Sequence, residues 1–243
     1  MRTPEIRVSS GSLEALKWFG LVAMTGDHVN KYLFNSTLPY LFEFGRLAMP
    51  IFGFVLAYNL ARPGTLDKGI YRRVMIRLAI FGALACPSYI GMGGVLGGWW
   101  PLNILFTLLV ATAMMALVDA STILDGSVRG SDRPAEWPFM LAAAGVFGLV
   151  GGAVVEFWWP ALAWCFFAWC FFKRPSWPAL VLALAGLASL YLVNKNWWAL
   201  LTIPLIYLAG SLDLQVPRLK HVFYWYYPLH LTALWIIRIP MAA

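Results

Sequence analysis

Nine apolar stretches divide this chain and leave little between them: roughly 13–34, 38–61, 70–90, 101–119, 137–155, 157–172, 177–193, 196–212 and 219–239. A hydrocarbon layer about 30 Å thick is crossed by roughly 20 helical residues, and a helix satisfies its own backbone without water. The period-two alternation of barrel strands is absent. With 61% of its residues hydrophobic and only 12% charged, the chain carries more apolar surface than one soluble core can hide. The expected fold is therefore all-α, a polytopic integral membrane bundle of about nine transmembrane helices. Residues 1–12 read as a polar tail with no cleavable signal, 13–239 as a single membrane domain, and 120–136 as a solvated cytoplasmic loop. The sixth span is the shortest, separated from the fifth by Trp158, Trp159 and Pro160 alone.

The connecting segments set the orientation. Arg2, Arg7 and Lys17 fall on one side, with Arg62, Lys68, Arg72 and Arg73, then Arg129 and Arg133, Lys173 and Arg174, and Arg218 and Lys220. The opposite side holds only Lys31, Lys195 and Arg238. Basic residues collect on the cytoplasmic side, which places the N-terminus in the cytoplasm and the C-terminus outside, in a bacterial inner membrane. The net charge of +7 then needs no nucleic-acid partner. Cys86, Cys165 and Cys170 lie within spans with no metal-type spacing and read as small buried apolar groups; no metal is expected. The tryptophan pairs at 99–100, 158–159 and 197–198 read as interfacial anchors.

Ionisable residues inside spans are the sharpest functional signal, because each costs a few kcal/mol unless paired or set in a polar cavity. Asp27 and His28 lie in the first span, Glu43 and Arg46 in the second, Arg77 in the third and His230 in the ninth. At about 1.5 Å of rise per residue, His28 lies about 9 Å below the outer end of its span and Arg46 about 12 Å below. The short turn Asn35–Thr37 makes these two spans antiparallel neighbours, so His28 and Arg46 share a depth. Spacing allows Glu43 to neutralise Arg46 and Asp27 to neutralise Lys31. Asp27 and His28 point about 100° apart, which argues against a relay along one helix and leaves Asp27 to orient a group on a neighbouring one. Pro50 frees the Arg46 carbonyl and Pro228 frees that of Tyr224, predicting two broken helices around a cavity.

Five ordered pieces carry a resemblance: the "DH" of Asp27–His28, "GRLAMPIFGFVLAY" (Gly45–Tyr58), "YRRVMIRLAIFGAL" (Tyr71–Leu84), "NILFTLL" (Asn103–Leu109) and "FYWYYPLHL" (Phe223–Leu231). Together they resemble the TraX family, membrane proteins named for the enzyme that acetylates the N-terminus of conjugative pilin. That family is in turn similar to the membrane O-acyltransferases that modify polysaccharides. The resemblance implies an acetyl-CoA-dependent acyltransferase with a catalytic histidine in the first span. His28 takes that position, Arg46 the partner position, and Asp27 and His230 complete the expected catalytic set. Glu43 and Tyr227 are expected substrate contacts. "ACPSYI" (Ala85–Ile90) departs from the family's usual polar stretch, which leaves the choice of acceptor open.

The chemistry fits those residue types. Acetyl transfer from a thioester needs a base for the nucleophile's proton and a positive group for the developing oxyanion. A neutral imidazole at His28 supplies the first and the forked guanidinium of Arg46 the second. Arg72, Arg73 and Arg77, at the cytoplasmic start of the third span, suit the phosphates of coenzyme A, although they equally mark topology. The expected partners are acyl-CoA, membrane lipids, and a pilin amine or an envelope glycan or lipid hydroxyl as acceptor. A small proton-coupled transporter would bury similar groups, but would show two related halves, which are not visible here.

Overall fold

The computed structural model describes residues 3–4, 6–94, 96–127, 137–219 and 221–241, and these are helical almost throughout. In order they form α1 (Ser10–Leu33), α2 (Pro39–Gly45), α3 (Ala48–Leu60), α4 (Ile70–Gly91), α5 (Ile104–Ser127) and α6 (Trp137–Val154). Then follow α7 (Trp158–Lys173), α8 (Trp177–Ser189), α9 (Tyr191–Asn194), a 3-10 turn at Trp198–Leu201, α10 (Thr202–Ser211) and α11 (Val222–Arg238). Four stretches have the length and hydropathy of a bilayer crossing: Pro39–Leu60, Ile70–Gly91, Ile104–Ser121 and Trp177–Asn194. Pro138–Val154 and Trp198–Ser211 are apolar but shorter. α1 is long enough at 24 residues but carries Glu14, Lys17, Asp27 and Lys31. The chain is a helical membrane protein whose first helix is built for polar work inside the bundle.

Local sequence sets the helix ends. Ser9 caps α1 by accepting from the Ser12 amide at 3.2 Å, so the helix begins three residues before the apolar stretch does and shortens the tail expected over 1–12. The turn after α1 is closed by Asn30, whose carbonyl accepts from Phe34 and Ser36 and whose side chain accepts from the Leu38 amide at 2.9 Å. Asn35 and Ser36 adopt left-handed backbone there, and Pro39 opens α2. The second apolar stretch breaks where Pro50 predicts. Without a proline amide to bond the Arg46 carbonyl, α2 ends at Gly45 and α3 starts at Ala48, with Arg46 at the joint. The break expected at Pro228 does not occur. α11 runs unbroken from Val222 to Arg238, and nearby carbonyls find side-chain donors, Tyr226 from His230 and Pro228 from Thr232.

Within the loop expected over 120–136, α5 continues to Ser127, because the segment Ala120–Asp125 contains no proline or glycine to stop its ladder, and 128–136 lie outside the described residues. Arg2, Arg129, Arg133 and Lys220 of the basic set lie outside the described residues.

Packing gathers α1, α3, α4, α5 and α11 around one interior space, with α7 against α3 and α5, and α8 on its outer side. The end that carries the basic segments is tied by a polar cluster: Trp169 donates to the Tyr71 hydroxyl at 3.0 Å, and Lys173 meets Asp119 at 2.8 Å. At the far end Met92, Gly94 and Pro101 are held against the bundle through their carbonyls. Lys31 donates to the Gly94 carbonyl at 3.0 Å, Arg238 to that of Met92 at 2.8 Å, and Tyr89 to that of Pro101 at 2.9 Å.

Candidate functional site

α1 and α11 pack side by side and bring two histidines that are distant in sequence edge to edge. The Nδ1 of His28 lies 2.7 Å from the Nε2 of His230, with the ring planes only 4° apart. The Nδ1 of His230 lies 2.9 Å from the Tyr226 carbonyl. A carbonyl oxygen only accepts, so His230 carries its proton on Nδ1. In neutral His230 the Nε2 is then a bare lone pair, and the bridging proton belongs to His28 Nδ1. His28 is left with an unprotonated Nε2, and no hydrogen bond to that atom occurs among the described residues. One backbone carbonyl, acting through one ring, thus selects the basic tautomer of the other. The Tyr226 ring stacks on His230 at 5.0 Å, and its hydroxyl meets Thr25 at 2.8 Å, which fixes the second ring against the first helix.

Arg46 takes a different partner from the one its spacing suggests. Its guanidinium pairs with Asp27 across helices, donates from Nε to the Phe42 carbonyl at 3.2 Å, and lies over the Phe42 ring. Glu43 is half-buried and makes no ion pair among the described residues. Lys31 bonds the Gly94 carbonyl, and no Asp27–Lys31 ion pair occurs. The Arg46 amide still bonds the Glu43 carbonyl at 3.1 Å, so the two residues keep their register and it is the side chain of Arg46 that turns to α1. Gly45 makes the approach possible: a Cβ there would sit 2.3 Å from Asp27 Cβ. His28 and Arg46 share one electrostatic neighbourhood without touching.

A cavity of about 440 Å³ opens at the basic end. Its rim carries Lys17, Arg73, Arg77 and Arg218, and its walls are Leu, Val and Phe side chains of α1, α3, α4 and α11. It ends against Tyr227, Ile104 and Met24, and Met24 stands one helical turn before His28. Tyr227 is buried at 3% exposure, its ring set edge-on to both His28 and His230. Arg72, grouped with Arg73 and Arg77 by sequence, is exposed and takes no part in the cavity wall. The rim gains Lys17 and Arg218 instead.

The family model for TraX protein matches residues 12–238. The chain belongs to the TraX family. No curated protein and no solved structure matches it.

This TraX chain also holds a site residue that sequence reasoning passed over. Glu156 occupies the three-residue joint between α6 and α7, where its backbone is held from two sides. Its amide donates to the Leu102 carbonyl at 2.8 Å and its carbonyl accepts from Thr107 at 2.7 Å. Leu102 pairs with Val155 in an isolated bridge, and Phe157 and Trp158 follow in left-handed backbone. The half-buried side chain lies within electrostatic reach of Lys31, Arg46 and Asp27. Asn103 braces the start of α5: it donates to Gly82 of α4 at 3.0 Å and accepts from the Leu105 amide at 3.1 Å.

Proposed function

We propose that this chain is a membrane acetyltransferase. It takes the acetyl group of cytoplasmic acetyl-CoA through the cavity at the basic end and passes it to an acceptor in or beyond the membrane, the N-terminal amine of a pilin subunit. His28 is the general base, held in its working tautomer by His230. Arg46, anchored by Asp27, stabilises the oxyanion. Arg73 and Arg77, joined by Lys17 and Arg218, take the coenzyme A phosphates, and the narrow apolar walls suit its pantetheine arm. The single observation that carries this reading is the tautomer-fixed histidine pair one turn beyond the end of a cavity with a basic rim.

The acceptor nitrogen attacks the thioester carbon and loses a proton to His28 Nε2. The carbonyl oxygen gathers negative charge toward the guanidinium. As the carbon–sulfur bond breaks, the proton passes from His28 to the coenzyme A sulfur. A positioned base of this kind contributes roughly 10²–10⁴-fold. An O-acetyltransferase acting on an envelope glycan or lipid would use the same donor half.

The test is turnover of labelled acetyl-CoA by purified protein in detergent, alone and with pilin or glycan acceptors. Slow hydrolysis or transfer that His28→Ala abolishes, while coenzyme A binding persists, supports the reading. Turnover unchanged in His28→Ala, or solute uptake that needs no acetyl-CoA, overturns it.

A further inference from the structure

A second cavity, of about 510 Å³, lies between α7, α8 and α10 and shares no lining residue with the basic-rimmed one. It reaches inward to Phe54 of α3 and Trp164 of α7, and its other walls are mostly Leu, Ile, Ala and Phe side chains. Leu184, Ile203 and Tyr207 stand at its opening and are exposed, which in a membrane protein turns them to the hydrocarbon. The lining runs from Trp164 to Phe172 on α7 and from Ile203 to Ser211 on α10. At about 1.5 Å per residue each stretch measures about 12 Å, close to one leaflet of a hydrocarbon core about 30 Å thick. Gly186 lets α8 close on α7 at the far limit of this slot: an added Cβ would sit 2.7 Å from the Trp164 nitrogen.

The basic end of the slot is closed by the N-terminal segment. Pro4, Ile6 and Arg7 line it, and the Val8 amide donates to the Tyr58 hydroxyl at 3.0 Å. The Arg7 carbonyl lies so near α10 that a Cβ on Gly210 would sit 3.2 Å from it. Tyr58 packs against two wall residues, Phe54 and Phe172, with ring centres 5.7 and 5.1 Å away. The Arg62 guanidinium lies over the same Tyr58 ring at 5.5 Å. Two arginines, one from the N-terminal segment and one from just past α3, thus stand at the end of an apolar slot one leaflet deep.

We propose that this slot is a lipid site, which takes one acyl chain of an anionic phospholipid from the leaflet at the basic end and sets the phosphate against Arg7 and Arg62. The chain fills the walls. Guanidinium forks match phosphate oxygens, and a net negative headgroup adds an attraction that a zwitterionic one lacks. An apolar helix seated on the same walls would put no negative charge where the two arginines stand. Bound there, the lipid ties the N-terminal segment to α7 and α10, next to Ser9, which caps α1. The site stands apart from the acetyltransferase reading and survives its failure.

The experiment uses the full chain, purified in detergent, stripped of lipid and mixed with equal amounts of phosphatidylglycerol and phosphatidylcholine of identical chains. Native mass spectrometry counts the lipid that each protein molecule retains. Wild-type protein is expected to keep one phosphatidylglycerol, with a preference of roughly fivefold, the scale of one basic residue near a lipid surface. Leu184→Trp and Ile203→Trp fill the opening from opposite walls, and each is expected to lose that lipid. Leu182→Trp, on α8 but off the lining, is expected to keep it. Arg7→Gln combined with Arg62→Gln is expected to cancel the preference. Added phosphatidylglycerol should raise the melting temperature of wild type and of Leu182→Trp and leave the filled variants unmoved. Size-exclusion elution reports that each variant is folded, and either filled variant alone decides the outcome. Retention by a folded filled variant equal to wild type overturns the proposal, as does equal retention of the two lipids by wild-type protein. A lipid-free dimer that the filled variants break apart also overturns it, and gives the slot to a second copy of the chain.

Discussion

Replacing His230 by phenylalanine isolates the least conventional part of the proposed site, an imidazole oriented by a second imidazole. The ring volume is kept, so the packing of α11 on α1 changes little, but the acceptor 2.7 Å from His28 Nδ1 is removed. Leaving that buried N–H without a partner costs about 1–3 kcal/mol, which also measures how strongly His230 favours the tautomer with a bare Nε2. Expressed as a rate, the productive fraction of His28 falls roughly 5- to 150-fold at 1.36 kcal/mol per decade. The loss should appear in kcat, with the KM for acetyl-CoA unchanged, because the cavity rim lies at the opposite end of α1. His230→Gln supplies a side-chain oxygen able to accept from Nδ1 and should lose less than the phenylalanine variant. Steady-state kinetics with labelled acetyl-CoA separate these outcomes. A phenylalanine variant with wild-type kcat, or equal losses in both variants, would refute the tautomer reasoning and return His230 to a packing role.

The remaining expectations concern the groups around that pair. Arg46→Lys keeps the charge but cannot both pair with Asp27 and bond the Phe42 carbonyl, so kcat should fall at least tenfold, the scale of one charge-assisted hydrogen bond; a wild-type rate counts against the oxyanion role. Arg73→Ala combined with Arg77→Ala should raise the KM for acetyl-CoA by a factor of roughly ten or more, whereas Arg72→Ala should not; equal effects would show that the arginines act only through the surface field. Gly45→Ala places a methyl 2.3 Å from Asp27 Cβ, so it should lower the melting temperature and reduce kcat together by prising Asp27 from Arg46, and a silent alanine would mean that the contact is slack.

The helices were legible because their cause is local. Apolar stretches of bilayer length, Ser9 as a cap, Pro39 at a helix start and Pro50 as a breaker all act within a few residues of where they stand. What failed were inferences that needed a neighbour. Pro228 was expected to break its helix as Pro50 does, but α11 runs unbroken from Val222 to Arg238. Glu43 and Arg46 keep their one-turn spacing, with the Arg46 amide on the Glu43 carbonyl at 3.1 Å, and still do not pair. The partner of Arg46 then comes from α1, selected by the glycine that lets the two backbones close.

The site was half legible for a related reason. An ionisable residue in mid-span announces itself by its cost, which exposed Asp27, His28, Arg46 and His230 and gave no measure of how they would be joined. Glu156 escaped because it falls between two apolar stretches, where a charged residue has an ordinary explanation as a solvated connector. Only the fold shows that this connector turns inward. The bridge between Leu102 and Val155 pulls the joint back against the start of α5, where Thr107 donates to the Glu156 carbonyl. Residues at the ends of spans can thus reach a buried site that residues within spans surround.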